Sequence, residues 1–273
     1  MEFLNILKKL LNQIFFNDDF SSEEVAGLFS PAHFAYIFVF VIGMAVLIKL
    51  SLGMDKRKAR KVRLLIAVSV TVMEVIKIAL RVYKGQHISS WIPLYYCSLF
   101  IFAVWLSLIP SESISRIGKS YIAMGGAMAA LIFTIVPTTS IAIFPALHIA
   151  TVHSFIYHFL MFYSGIMLFI QEGYKPRLSD GVRYFLFISL ATVPSLIINE
   201  RFGANCMFLN DAFGLPFLSA IRESSHFLYM AIVFLAQSVL MFFGNFGFYK
   251  FAVHLKDKLK NKVKAIGEKN DVY

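Results

Sequence analysis

The chain has 273 residues, of which 58% are hydrophobic and only 15% charged, with a mean hydropathy of +0.70. Soluble domains carry about 25% charged residues, so a water-exposed globular class is excluded and an integral membrane protein is implied. The formal net charge of +10 then reads as a topology signal, and nucleic-acid binding is not expected.

Residues 1–30 read as an interfacial amphipathic helix and a linker. Phe3, Leu4, Leu7, Leu10, Leu11, Ile14 and Phe15 fall at helical spacing with Lys8, Lys9 and Asn12 between them, a pattern that lies on a membrane surface. Asp18, Asp19, Glu23 and Glu24 follow, with no small-residue cleavage site, so no removable signal peptide is expected.

Residues 31–250 read as an all-α transmembrane domain of seven helices. A span needs about 20 mostly apolar residues, and seven segments qualify: 32–51, 63–83, 92–110, 119–137, 147–170, 183–200 and 227–249. Basic residues alternate between the connections. Loop 52–63 holds Lys56, Arg57, Lys58, Arg60, Lys61 and Arg63; loop 111–119 holds Arg116 and Lys119; loop 171–183 holds Lys175, Arg177 and Arg183. The remaining loops are poor in them. The positive-inside rule therefore places the N-terminus outside and the tail, 251–273, in the cytoplasm. The seven lysines from Lys250 onward suit either anionic lipid or plain solvation.

On this topology the polar residues gather in the outer half. Segment 63–83 carries Glu74, Lys77 and Arg81 on one face. Segment 92–110 enters from outside with Pro93 in its first turn, which puts Cys97 about 7 Å below its start. Segment 147–170 carries His148, His153, Ser154, Tyr157 and His158. Ionisable groups inside a membrane cost free energy unless paired or set around a wet cavity. Two readings stand: a polar cavity in the outer half, or an ion-paired structural belt of Glu74, Lys77 and Arg81. Cys97 alone reads as a small buried hydrophobe before it reads as a nucleophile; with His158 in the same half it has a base to activate it. A disulfide to Cys206 is open. Ser154 and His158 share a helical face, whereas the five-residue steps between His148, His153 and His158 do not gather metal ligands. No metal and no cofactor are expected. Gly125 and Gly126, with the alanines after them, give a small packing face.

The stretch "IPLYYCSLF", residues 92–100, resembles the L-P-L-x-x-C-S signature of YwaF-type bacterial integral membrane proteins, relatives of the transmembrane protein 164 acyltransferases. "GGAMAAL", "FIYHFLMF" and "GANCMFL" follow in the family's order, the last similar to its G-x-N-Y-M-F-L loop with Cys206 in place of the Tyr. The resemblance implies fatty-acyl transfer between membrane phospholipids and a lipid acceptor in a bacterial plasma membrane. It implies Cys97 as acyl carrier and His158 as general base, with Asn205, Ser154 and Glu74 supporting the oxyanion or the base. Arg81 and Lys77 would hold the lipid phosphate. A non-enzymatic transporter or receptor using the same outer cavity is the rival reading. A retinal Schiff base is excluded, because 227–249 contains no lysine.

Overall fold

The structure, a computed structural model, describes residues 14, 15, 17, 20, 21, 23–212 and 215–270; for Ser90 and 259–270 it describes the backbone alone. The expected surface helix over 3–16 lies outside the described residues, apart from Ile14 and Phe15. No strand occurs among the described residues, so the all-helical expectation holds.

Eight helices follow in order: α1 Pro31–Ser51, α2 Lys56–Tyr83, α3 Leu99–Leu106, α4 Glu112–Ile135, α5 Ile149–Ile170, α6 Leu178–Phe202, α7 Pro216–Ser224, and α8 from His226 to Asn270. Both α4 and α8 are continuous rods with a π turn, Tyr121–Gly126 and Ala236–Leu240 respectively. Local chemistry sets several starts. Ser30 caps α1 by accepting from His33 N, with Pro31 at a position where a missing N–H is harmless. Asp55 caps α2 by accepting from Lys58 N, and Ser225 caps α8 by accepting from Leu228 N.

Five of these, α1, α4, α5, α6 and the Lys258-bounded part of α8, are long and apolar enough to cross a membrane. The outer faces of α1, α6 and α8 stay largely uncovered by protein. On α1, Phe34, Phe38, Val39, Ile42 and Leu50 are all exposed. Each such side chain gains about 1.5–3 kcal/mol by leaving water, and a continuous belt of them needs lipid as its solvent. α2 is 28 residues long, with Leu64, Leu65, Val72 and Val75 outward and Arg63, Ile66, Val70 and Glu74 inward.

The segment expected as a helix over 92–110 is corrected. Only Leu99–Leu106 is helical there, eight residues, or about 12 Å of rise. Residues 91–98 run as turns, so Pro93 is not in a helical first turn. Proline removes a donor and turns the residue before it away from helical geometry. Distant partners replace the helical bonds: Met207 N donates to Leu94 O (2.9 Å), Tyr121 Oη to Tyr96 O, and Tyr157 Oη to Ser98 O (3.4 Å).

α4 is the buried hub, with Tyr121, Ile122 and Met124 all but sealed from solvent. Two glycines let it serve that role. A Cβ on Gly118 would overlap Ala103 O and sit 2.6 Å from Ser107 N, so α3 and α4 meet backbone to backbone. A Cβ on Gly125 would overlap the Tyr96 and Tyr184 hydroxyls and sit 2.8 Å from Tyr184 Cε2.

The end of the bundle beside loop 171–177 is closed by charge. Arg63 pairs with Glu172, both largely buried. Arg116 grips Asp180 with two nitrogens, Nε at 2.8 Å from Oδ1 and Nη2 on Oδ2. Tyr174 Oη donates to Asp180 Oδ2 at 3.1 Å.

Candidate functional site

Two non-helical segments meet inside the helices, and each carries one of the motifs singled out from the sequence. The first is 91–98, with Cys97 at its end. The second is 203–212, which buries Cys206, Met207 and Leu209. Met207 N donates to Leu94 O and ties them together. The second segment holds an unusual backbone: Met207 and Phe208 have φ of 54° and 57°, a left-handed conformation that costs roughly 1–2 kcal/mol per side-chain-bearing residue.

What holds it is a full set of hydrogen bonds. Every backbone carbonyl from Ala204 to Asp211 accepts one. Asn210 Nδ2 donates to Ala204 O (2.6 Å), Asn199 Nδ2 to Cys206 O (3.0 Å) and Gln237 Nε2 to Met207 O (2.9 Å). Tyr229 Oη donates to Phe208 O (2.6 Å), His226 Nε2 to Leu209 O (3.1 Å) and Arg222 Nε to Asn210 O (2.5 Å). Phe208 N serves Asn205 O (3.1 Å), and Asn205 Nδ2 serves Asp211 O (3.1 Å). Irregular backbone among membrane helices survives only where its polar groups are satisfied in this way. Asn199 also accepts from Cys206 N at 2.7 Å, so its amide clamps both sides of that residue.

Asn205 is thus employed within its own loop, its Oδ1 accepting from Asn210 N (2.8 Å) and Asp211 N (3.0 Å). Cys97 and Cys206 are both free thiols, and no disulfide joins them.

Cys97 is partly buried, between Tyr96, whose carbonyl accepts from Tyr121 Oη, and Ser98, whose carbonyl accepts from Tyr157 Oη. Because 91–98 runs as turns, the helical rise from which its depth was read does not apply. The Tyr96 and Tyr184 hydroxyls bond to each other, and Tyr184 Oη donates on to Gln237 O at 2.9 Å. Tyr95 packs on Phe208, ring centroids 5.7 Å apart.

His158 is buried on α5, its ring stacked on Phe133 at 3.7 Å. Its Nδ1 lies 2.7 Å from Ser154 O. A carbonyl only accepts, so Nδ1 carries the proton and Nε2 presents a lone pair. That Nε2 is buried and has no hydrogen-bond partner. Ser154 acts on the imidazole through its backbone carbonyl. Cys97 and His158 are not bonded to each other; Tyr157 is their common neighbour, its ring edge-on to His158 at 6.0 Å.

Glu74, Lys77 and Arg81 follow one another along α2. Glu74 is buried and accepts from Lys77 Nζ at 2.5 Å, while Arg81 Nη1 donates to Gln86 Oε1 at 2.9 Å. Glu74 is within electrostatic reach of Tyr157, and Lys77 and Arg81 of His153. Among the described residues no group of His, Cys, Asp and Glu could hold a metal ion. One cavity, of about 510 Å³, is lined by Phe20, Val25, Gly27, Ala142 and Ile143. Another, of about 290 Å³, lies at the charged end beside Arg116 and Tyr174. Neither is lined by Cys97 or His158.

Tyr184, Tyr229 and Gln237 carry no signal in the sequence, because their roles rest on bonds to residues far along the chain. The rings of His153 and Tyr157 stack at 5.9 Å.

Long apolar helices with lipid-facing exteriors, around an interior of satisfied polar backbone, define an integral membrane protein of the helical type. The chain belongs to the TMEM164 family, whose model matches residues 28–249 and so takes in both motif segments, the helices from α1 to α7 and the start of α8. No curated protein and no solved structure matches it.

Proposed function

We propose that the protein is a membrane-embedded acyltransferase that moves a fatty acyl chain between phospholipids through a thioester on Cys97. The reading rests on the meeting of the two motif segments, Met207 N on Leu94 O, beside a free thiol. His158 Nε2, a lone pair without a partner, takes the thiol proton once the two groups are brought together. The thiolate attacks the ester carbonyl, forming the C–S bond; the C–O bond breaks and the departing lysolipid oxygen takes the proton back from His158. The acceptor hydroxyl then gives its proton to His158, attacks the thioester and releases the thiol. Ser154 O keeps the imidazole in the required tautomer. With the Asn205 amide engaged in its loop, a backbone N–H of the Cys97–Ser98 turn is the better oxyanion donor. Lys77 and Arg81 are the candidate phosphate contacts, with Glu74 setting Lys77 in place.

The topology proposed with it has seven passes, N-terminus outside. α2 supplies one despite its charges, and residues 91–106 supply another as turns followed by α3. With Cys97 flanked by tyrosines of α4 and α5, the ester descends between the helices from the outer leaflet.

A non-enzymatic lipid-binding transporter or receptor is the second reading, favoured by the lack of a bond between Cys97 and His158. Purified protein with labelled phospholipid and a lysolipid acceptor separates the two. Acyl redistribution should vanish in Cys97→Ala and fall by about 10²–10⁴-fold in His158→Ala. Turnover surviving in Cys97→Ala would sink the thioester; lipid binding without turnover in any form would favour the second reading.

A further inference from the structure

We propose that the cavity at the charged end of the bundle binds the phosphate group of a membrane phospholipid, at a site separate from Cys97 and independent of the acyl-transfer reading. The cavity holds about 290 Å³, near the lower bound of roughly 300–1,000 Å³ for small-molecule sites. Four cations line it, Arg116, Lys119, Lys175 and Arg177, against two carboxylates, Glu112 and Glu172.

These charges are not equivalent. Arg116 is committed: it donates to both Asp180 oxygens and to Lys175 O (3.2 Å), and lies over the Tyr174 ring at 5.3 Å. It forms the floor. Glu172 is committed to Arg63. The other three cations are not. Lys119 Nζ is 4.0 Å from Glu172 and Arg177 Nη1 is 3.8 Å from Glu112, both beyond hydrogen-bond reach. Lys175 is exposed and makes no ion pair. Three cationic side chains thus surround one cavity with their donors unfilled. Loose pairs of this kind add little stability, and the positive-inside rule accounts for basic residues on this side of the membrane but not for their facing one cavity. A phosphate does, since its oxygens accept several charge-assisted bonds at once.

Depth and surroundings favour a lipid as the source. Lys119 is 24% exposed and Arg177 64%, so the cations descend from the mouth inward. Leu178, next to Arg177, is 66% exposed and Ile114 is 39% exposed. Leu178 begins the apolar surface of α6, continued by exposed Val182, Leu186 and Leu190, so a headgroup seated in the cavity can lay its chains along it.

The test uses the full chain in detergent, with lipid retention followed by native mass spectrometry. The probes are dioleoyl phosphatidylglycerol, dioleoylglycerol (the same chains without phosphate) and inorganic phosphate. The wild type should retain the phospholipid and not the dioleoylglycerol. The Lys119→Gln/Lys175→Gln/Arg177→Gln variant should bind it at least about tenfold more weakly at an unchanged melting temperature. If that variant misfolds, Lys175→Gln alone, whose side chain bonds nothing, should still lose about threefold. Displacement of the lipid by millimolar inorganic phosphate would identify free phosphate as the natural source; its failure would identify the lipid. Wild-type affinity in the variants, or equal retention of dioleoylglycerol, would overturn the proposal. Cys97→Ala should bind as the wild type does, so failure here leaves the acyl-transfer reading standing, and the reverse.

Discussion

Gly125→Ala puts one methyl group where two tyrosine hydroxyls meet. The new Cβ overlaps both Tyr96 Oη and Tyr184 Oη and lies 2.8 Å from Tyr184 Cε2, so both rings must move. Overpacking of this kind costs about 1–3 kcal/mol. Displacing the rings also weakens the Tyr96–Tyr184 bond and the Tyr184 bond to Gln237 O, another ~1 kcal/mol. A loss of about 2–4 kcal/mol, at about 2–4 °C per kcal/mol, lowers the melting temperature of the purified protein by roughly 5–15 °C. The sharper comparison is a cycle. Tyr96→Phe/Tyr184→Phe removes the two overlapped oxygens at a cost of about 2 kcal/mol. Adding Gly125→Ala to that background leaves Tyr184 Cε2 as the close atom and should cost less than about 1 kcal/mol more, a coupling of about 1–3 kcal/mol. Differential scanning fluorimetry on the variants reads this directly. If the Gly125 and tyrosine losses simply add, the hydroxyls are not what Gly125 accommodates.

Three further outcomes are expected. Asn199→Ala removes both bonds to Cys206 and leaves its buried N–H unsatisfied, a loss of about 2–4 kcal/mol visible as early proteolysis in 203–212; Asn199→Asp, which still accepts from that N–H, should lose less. Glu172→Gln strands the buried Arg63 and should destabilise by about 3–5 kcal/mol, whereas Arg63→Met/Glu172→Leu should recover much of that loss in a thermal scan. Tyr174 lies in the loop before α6, and burial with the Asp180 charge holds its phenol well above the ordinary range. The folded state therefore keeps its proton more tightly than the unfolded state. The stability gap between wild type and Tyr174→Phe should be full below about pH 10 and close as the pH rises above it; a gap that widens in alkali would contradict this.

The long apolar helices were legible because hydropathy alone marks them: α1, α5 and α6 lie within a few residues of the ranges read from the sequence. Segment 92–110 was not, for a physical reason. Its composition is that of a spanning helix, but the partners that replace helical bonds over 91–98 are Met207, Tyr121 and Tyr157, none of them local. The depth of Cys97, read from helical rise, loses its basis with it. Asn205 was legible as part of a motif, whereas its task of bonding Asp211 O within its own loop was not. Asn199 and Gln237 read as ordinary polar residues in apolar helices; only a loop folded back among those helices reveals what they bond. The pairing of Glu74 with Lys77 was foreshadowed by their three-residue spacing.

The carbonyls of the 203–212 loop also say something about the order in which the molecule is made. Arg222, His226, Tyr229 and Gln237, which bond the carbonyls of Asn210, Leu209, Phe208 and Met207, are all synthesised after the loop itself. Until α7 and α8 have emerged and packed, those four bonds cannot form, and the left-handed backbone at Met207 and Phe208 lacks their support. The seat beneath Leu94 O is therefore filled at the close of biogenesis, and a ribosome that stalls before Gln237 leaves a chain that carries Cys97 without its finished surroundings.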